Sequence, residues 1–167
     1  MSKISKKSLK YFLEFCLLLG IIFAFMSWQQ RDLLATDGSV SISPQGFITT
    51  TGDYITLAPD TQRRTLVYFF APWCQVCRYS INNLDTLDPS RVKVVRIALD
   101  YGAVEDVEKF AAELGIEDQI LLGGPQHKAR FNIKAYPSYY LLDQDFKVIA
   151  KDMGYSTSIG LKLRSMM

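Results

Sequence analysis

The first pattern in the chain is a long apolar segment near its amino terminus. Residues 15–28 contain no charged side chain, and residues 11–13 extend the segment across Glu14 to eighteen residues. A membrane-spanning helix needs about 20 mostly apolar residues, and lysines before such a helix keep its amino terminus in the cytoplasm. The pattern predicts an uncleaved transmembrane helix over residues 11–28. A cleaved signal peptide, which also has a basic start and an apolar centre, is the alternative.

The positions after this segment divide the chain further. Residues 31–43 are rich in polar residues, and Pro44 follows them, which is typical of a linker. Residues 44–167 have the mixed apolar and polar character of one folded domain. We therefore expect three parts: a cytoplasmic tail and membrane anchor over residues 1–30, the linker, and a domain over residues 44–167.

Within the domain, short apolar runs alternate with helical patterns. Two runs rich in β-branched and aromatic residues flank Gly52-Asp53, which predicts an N-terminal β-hairpin over residues 47–57. A buried type of strand over residues 65–70 comes next, followed by a helix that begins at Cys74 and runs to about Leu87. The rest predicts, in order, strand 92–99, helix 104–114, strand 119–122, helix 126–131, strands 138–142 and 147–151, and helix 157–165. This order predicts an α/β fold whose central mixed sheet is flanked by helices.

Composition and charge narrow the possible partners. Hydrophobic residues make up 49% of the chain, which is ordinary for a globular protein. The net charge is +2, but residues 1–31 hold five basic residues and one acidic residue, so the remainder carries a net charge of −2. A domain so close to neutral lacks the basic surface that nucleic-acid binding requires. We expect no nucleic-acid partner.

The candidate chemistry lies just after the strand over residues 65–70. Cys74 and Cys77 stand there at CxxC spacing, directly after Trp73. Two sulfurs at this spacing on the first turn of a helix can form a disulfide. The free N–H groups of that turn stabilise a thiolate on the first cysteine. Because the thiolate is the species that attacks disulfides, the pattern predicts thiol–disulfide exchange.

The cysteine pair has two other possible uses. A zinc site needs two further ligands, and the chain offers only His127, which we expect at the surface, and Cys16, which lies in the predicted anchor. An inert structural disulfide is the other alternative. We expect the site to hold no metal and no cofactor.

The order of elements, the CxxC pair and a proline just before the late strand, Pro137, together resemble the thioredoxin-like superfamily. Within it, the chain resembles the membrane-anchored, extracytoplasmic proteins of the suppressor-for-copper-sensitivity D branch in three stretches, residues 68–78, 129–137 and 154–164. The resemblance covers about residues 40–167. It implies a thioredoxin-like fold, a redox-active disulfide and a cis peptide bond between Tyr136 and Pro137 that faces the cysteine pair.

Each site residue has an expected role. Cys74 comes first, at the helix N-terminus, and is the candidate nucleophile, whereas Cys77 lies a turn deeper and resolves the mixed disulfide. Trp73 shields one side of the pair and offers a flat apolar surface to partners. Pro137 has no N–H to donate to a neighbouring strand and keeps a metal ion from settling between the sulfurs. The backbone of Tyr136 pairs with an extended substrate segment, as sheet edges do.

One position departs from the thioredoxin pattern. Thioredoxins carry a buried acid six residues before the first cysteine, as a proton acceptor for the resolving step, and Tyr68 stands at that position here. The acceptor is then missing, replaced by water, or supplied by another acid such as Asp100.

The resemblance implies a thiol–disulfide oxidoreductase with a single span in the inner (cytoplasmic) membrane and a catalytic domain in the periplasm or another extracytoplasmic space. Its partners would be the thiols and disulfides of extracytoplasmic proteins, with electrons from a membrane donor, so that it acts as a reductant. Gln75 and Val76, between the cysteines, are neutral and leave the direction open. The alternatives are a disulfide-donating oxidant, a copper-binding assembly module that uses His127, and a non-catalytic adaptor on the same fold.

Overall fold

A computed structural model describes residues 6–31 and 33–166 of the chain. The chain divides into two compact units, Met1–Asp32 and Leu33–Met167. Helix α1 (Lys6–Gln30) lies in the first unit. The helices and strands that follow it in the sequence belong to the second unit.

Helix α1 covers the apolar segment near the amino terminus, and large apolar side chains along it are exposed, including Leu13, Leu18 and Ile22. Lys10 and Glu14 form an ion pair one turn apart, with Nζ and Oε1 at 3.7 Å. In the two described ranges, no helix combines the length and the hydropathy that crossing a membrane requires. The transmembrane helix predicted over residues 11–28 is not confirmed.

The second unit begins with strands β1 (Gln45–Thr49) and β2 (Tyr54–Leu57). The remaining elements, in chain order, are β3 (Arg64–Phe70), α2 (Gln75–Ser80), a 3-10 helix (Ile81–Thr86), β4 (Val92–Ala98), α3 (Val104–Leu114), β5 (Ile120–Leu122), α4 (Pro125–Arg130), β6 (Ser138–Leu142), β7 (Val148–Met153) and α5 (Ser158–Met166). Apart from α2 and the 3-10 helix, these bounds lie within two residues of the ends that the sequence pattern predicts.

The described strands form one mixed sheet in the order β2-β1-β5-β4-β3-β6-β7. Strands β3, β4 and β5 run parallel to one another, whereas β6 and β7 are added antiparallel beside β3. Strand β1 pairs antiparallel with both β2 and β5, so these two strands extend the central sheet itself. This is the thioredoxin-like α/β architecture that the resemblance implies. It puts β3, which leads to the cysteines, inside the sheet.

An apolar layer covers each face of the sheet, and the side chains of β3 alternate between the two. Leu66, Tyr68 and Phe70 pack in the layer that also contains residues of α2, α3 and α5. Val67 and Phe69 pack in the opposite layer. Every residue of β3 after the first is buried, as its continuous apolar run predicts.

Helix α2 ends earlier than the sequence pattern predicts. It stops at Ser80, and the chain continues as a 3-10 helix to Thr86. The Ser80 hydroxyl donates to the carbonyl of Val76 at 3.0 Å, and such back-bonding disturbs the regular helix. Two asparagines follow, and asparagine is a weak helix former. The prediction of one continuous helix from Cys74 to Leu87 is therefore wrong in its second half.

Candidate active site

The cysteine pair lies where β3 leads into α2. Cys74 is the N-cap residue of α2 and forms a disulfide with Cys77, with the two Cα atoms 5.3 Å apart. The backbone N–H of Cys77 donates to the Sγ atom of Cys74 at 3.1 Å. A donor in this position favours the charged form of a titratable group. In the reduced pair, the backbone of α2 would therefore stabilise a thiolate on Cys74.

The two cysteines differ in their access to solvent. Cys74 is 6% exposed, whereas Cys77 is 0% exposed and lies within the apolar layer. Trp73, on one side of the pair, and Val76, in the first turn of α2, are both exposed. A cleft of about 310 Å³ opens beside Trp73 and is lined also by Pro72, Tyr101 and Phe110. A partner that approaches the pair therefore reaches Cys74 and not Cys77.

Trp73 and Tyr136 lie together beside the cysteines. Their rings meet edge to face, with the centroids 5.7 Å apart. Tyr136 also packs against the apolar cluster that contains Cys74 and Cys77. The fold thus brings the residue before the first cysteine and the residue before the late proline into one wall, although they are far apart in the sequence.

The backbone around Pro137 has the geometry that the resemblance implies. The peptide bond between Tyr136 and Pro137 is cis. The carbonyl of Pro137 accepts a hydrogen bond from the N–H of Gly154 at 2.8 Å. Among the residues that the structure describes, neither the N–H nor the carbonyl of Tyr136 has a hydrogen-bond partner. The hydrogen-bonding capacity of both groups is thus unused within the described residues.

Tyr68 lies behind the pair, at the position where thioredoxins carry an acid. Its side chain is buried, and its hydroxyl oxygen lies 2.7 Å from that of Ser80 in α2. Burial raises the pKa of the Tyr68 hydroxyl well above its ordinary value of 10. Tyr68 therefore stays neutral at physiological pH. Ser80 is not among the predicted site residues, although its position three residues after the buried Cys77 puts it on the same face of α2.

Asp100, named from the sequence as one possible acid near the site, does lie beside it. Its carbonyl accepts from the indole N–H of Trp73 at 2.9 Å, and its carboxylate accepts from the hydroxyl of Tyr136 at 2.9 Å. The carboxylate also forms an ion pair with Lys128 of α4. The hydrogen bond from Lys128, more than the one from Tyr136, lowers the pKa of the Asp100 carboxyl below its ordinary value. Nothing in the local sequence around Lys128 indicates this contact.

His127 is buried, and the prediction that it lies at the surface is wrong. Its ring stacks on Phe47 of β1 with the centroids 4.1 Å apart. The Nδ1 atom accepts from the N–H of Gly124 at 3.0 Å, which leaves Nε2 to donate to the carbonyl of Gly46 at 3.1 Å. Both ring nitrogens are thus engaged, whereas the copper-binding alternative needs one of them as a ligand. Within residues 6–31 and 33–166, no group of three or more His, Cys, Asp or Glu side chains could hold a metal ion.

Comparison with known proteins gives relatives of one kind. No protein-family model matches the chain. Over 114 residues, or 65% of its length, the chain is 26% identical to the thioredoxin-like protein YneN of Bacillus subtilis, of which it covers 66%. Over 102 residues, or 59% of its length, it is 35% identical to the thiol:disulfide interchange protein CycY of Rhizobium leguminosarum, of which it covers 54%.

A solved structure supports the fold. The crystal structure of a putative thiol:disulfide interchange protein DsbE from Chlorobium tepidum superposes with a TM-score of 0.68 at 22% identity, over 79% of this chain and 97% of that one. The chain spans less than two thirds of the length of CycY and just under two thirds of that of YneN. The chain thus has the thioredoxin-like fold, and the relatives to which it is similar are named thioredoxin-like or thiol:disulfide interchange proteins.

Proposed function

We propose that this chain exchanges disulfides with extracytoplasmic proteins through Cys74 and Cys77. The observation that carries the proposal is the hydrogen bond from the N–H of Cys77 to the sulfur of Cys74 at 3.1 Å. Cys77 itself is 0% exposed, so Cys74 is the more accessible of the two cysteines. A stabilised thiolate on the more accessible sulfur is what attack on a disulfide requires.

The exchange takes place in two steps. In the first, the Cys74 thiolate attacks one sulfur of a substrate disulfide, so that a mixed disulfide forms and the other substrate sulfur leaves as a thiolate. In the second, Cys77 loses its proton and attacks the Sγ atom of Cys74, which releases the first substrate sulfur. Two electrons have passed to the substrate, and the Cys74–Cys77 disulfide remains.

The second step needs an acceptor for the proton of Cys77. The neutral hydroxyl of Tyr68 cannot serve at physiological pH, because it already carries its proton. The carboxylate of Asp100 already accepts from Lys128 and Tyr136. Water that enters beside Cys74 is therefore the acceptor in this proposal.

The surroundings of the pair support a polypeptide substrate. The N–H and carbonyl of Tyr136 have unused hydrogen-bonding capacity within the described residues, and a strand-like segment bound there would gain main-chain hydrogen bonds. Trp73 provides apolar surface for the side chains of that segment. The cleft beside it combines apolar residues with the charged residues Arg78, Asp106, Lys109 and Glu113. Pro137 contributes no N–H at this edge. Its role beside the sulfurs remains the one that the resemblance implies.

A direct test uses three single variants of the full chain with a protein disulfide as substrate. Cys74→Ser should abolish turnover, whereas Cys77→Ser should accumulate a mixed disulfide with the substrate that a reductant releases. Cys16→Ser, a change in the exposed cysteine of α1, is the matched control and should react like the wild type. Turnover by Cys74→Ser would contradict the assignment of the nucleophile.

The direction of electron flow is proposed as reduction, on the resemblance to anchored reductants that receive electrons from a membrane donor. The steady-state redox form of the pair in intact cells tests it, when the thiols of Cys74 and Cys77 are trapped with an alkylating mass tag. A mostly reduced pair is expected. A mostly oxidised pair would favour the disulfide-donating oxidant instead.

We also propose that residues 1–30 attach the chain to the cytoplasmic membrane, with residues 31–43 as a linker and residues 44–167 on the extracytoplasmic side. The lysines that precede the uncharged run and the exposed apolar side chains of α1 support the attachment. Wild-type protein should resist alkaline extraction from membranes. A Leu18→Lys, Ile22→Lys double variant should be released, unlike the control Leu163→Lys, which changes an exposed leucine of α5. Release of the wild type would contradict the attachment.

A further inference from the structure

Asp100 contacts both halves of the wall beside the cysteines. Its carbonyl oxygen holds the indole N–H of Trp73, and its carboxylate holds the hydroxyl of Tyr136, each at 2.9 Å. The two partners precede Asp100 by 27 positions and follow it by 36. Asp100 lies two residues after the end of β4, so a single residue connects the segment before α2 with the segment before β6.

The backbone of Asp100 explains how one residue reaches both partners. Its φ of +48° lies in the left-handed region, which aspartate and asparagine adopt more readily than most other residues. A turn of this kind lets the carbonyl and the side chain of the same residue serve different neighbours. Glycine would tolerate the turn but would bring no carboxylate.

Lys128 completes the arrangement from α4. Its Nζ atom pairs with the carboxylate of Asp100 and also lies 5.6 Å from the centre of the Tyr136 ring. A cation over the face of an aromatic ring is attracted to it. Lys128 thus contacts both Asp100 and Tyr136, and it balances the charge of Asp100.

The exposure of Trp73 shows why its contacts with Asp100 and Tyr136 matter. The indole is 65% exposed, so packing alone leaves its orientation weakly determined. The hydrogen bond to Asp100 and the edge-to-face contact with Tyr136 fix it in one position. A surface that is ordered before binding spares the substrate the cost of ordering it.

We propose that Asp100 is a positioning residue that, with Lys128, holds Trp73 and Tyr136 as a preformed wall for extended polypeptide substrates. This inference rests on the proposed disulfide exchange, because the wall lies beside Cys74. A small disulfide without a peptide backbone reaches Cys74 without using the wall. Asp100 therefore determines affinity for protein substrates and leaves the chemical step unaffected.

Kinetics of the full chain test the inference with insulin as the protein disulfide, 2-hydroxyethyl disulfide as the small one and dithiothreitol as the electron donor. Asp100→Asn keeps the carbonyl and tolerates the positive φ but loses the charge. It should raise KM for insulin by roughly two- to tenfold, the worth of a hydrogen bond, with little change in kcat. The rate with 2-hydroxyethyl disulfide should stay within about twofold of the wild type. Equal losses with both substrates would overturn the inference.

A spectroscopic readout separates this inference from the proposed function. In a Trp28→Phe background, Trp73 is the remaining tryptophan, and its quenching by acrylamide reports how firmly the indole is held. Asp100→Asn and Lys128→Met should increase quenching, whereas Lys128→Arg, which keeps the cation, should restore wild-type behaviour. Glu108→Gln, at an exposed acid of α3, is the control for loss of charge and should change neither quenching nor KM.

The two readouts fail in different ways. If the wild type does not reduce insulin, the proposed function is wrong, and the quenching of Trp73 still tests the positioning role of Asp100. If insulin is reduced but Asp100→Asn leaves both KM and quenching unchanged, the positioning role is wrong and the proposed function stands.

Discussion

The hydroxyl oxygens of Tyr68 and Ser80 lie 2.7 Å apart in the buried layer between β3 and α2. The single hydroxyl proton of Ser80 goes to the carbonyl of Val76 at 3.0 Å, so the hydroxyl of Tyr68 is the donor in this pair. A neutral hydrogen bond thus connects the sheet to the helix that carries Cys77. The position that holds an ionisable acid in thioredoxins here has a structural role.

Tyr68→Phe removes that hydrogen bond and little else. We expect the free energy of unfolding to fall by about 1 kcal/mol, the usual net worth of a buried hydrogen bond. Because burial keeps Tyr68 protonated, the pH profile of disulfide exchange at neutral pH should be the same in the variant and the wild type. Urea denaturation and the pH–rate profile measure the two effects. Tyr54→Phe, at an exposed tyrosine of β2, is the control, and a changed profile in Tyr68→Phe would show that Tyr68 takes part in proton transfer.

Gly123→Ala should destabilise the fold at the end of β5. A Cβ atom there would lie 2.5 Å from Cδ2 of Leu99, 3.0 Å from Cγ2 of Ile97 and 3.2 Å from the carbonyl oxygen of Ala98. The Leu99 side chain must therefore move, and the carbonyl of Ala98 must give way by a few tenths of an ångström. We expect a loss of about 1–3 kcal/mol in the free energy of unfolding. Gly20→Ala adds the same methyl group in open space within α1. Equal stability of the two variants in thermal denaturation would contradict the packing at Gly123.

Arg164→Met should weaken the attachment of α5 to the sheet. The Nη2 atom of Arg164 pairs with the carboxylate of Asp152 at 2.7 Å, and Nη1 donates to the hydroxyl of Tyr139 at 2.6 Å. Hydrogen bonds to charged groups are stronger than neutral ones, and Arg164 is partly exposed, so we expect a loss of about 1–2 kcal/mol. Lys162→Met, which removes an exposed cation from the same helix, should have little effect. Similar denaturation midpoints for the two variants would contradict the proposed attachment.

The local sequence pattern was sufficient to predict the elements whose apolar side chains are buried as their periodicity indicates. The apolar run of β3 is buried along its length, and α3 begins at Val104 and ends before Gly115, which has a left-handed conformation. In both cases the periodicity of apolar residues and the terminating residue agree with the tertiary contacts. The cysteine pair was predictable for the same reason, because its spacing and its place after a strand are local features.

The remaining features depend on contacts between distant segments. The end of α2 depends on a hydroxyl that bonds both Tyr68 and Val76. The burial of His127 depends on β1, which packs its Phe47 against the imidazole ring. Tyr68 lies in a different element from Ser80, and Phe47 is far from His127 in the sequence. Neighbouring Lys128 and Arg130 make the segment of His127 look exposed. The contacts of Asp100 with Trp73, Lys128 and Tyr136 are of the same kind, since these four residues come from separate segments.

Stability should fall as the pH drops below about 6.5, because of His127. Burial lowers the pKa of His127 in the folded chain below its ordinary value of 6.5. Between the lowered pKa and 6.5, the unfolded chain therefore binds a proton that the folded chain does not. Stability therefore rises with pH in this window and is lost as the pH falls through it. Protonation would also remove the lone pair of Nδ1 that accepts from the N–H of Gly124.

The chain has one histidine, so His127→Gln isolates the effect. The variant should be less stable than the wild type at pH near 7.5, and the difference in free energy of unfolding should shrink towards pH about 5.5, because only the wild type loses stability by this route. Phe47→Leu disturbs the same packing without removing a titratable group, and its difference from the wild type should vary less with pH. Urea denaturation at several pH values measures both. A difference for His127→Gln that stays constant would mean that His127 titrates alike in the folded and unfolded chains.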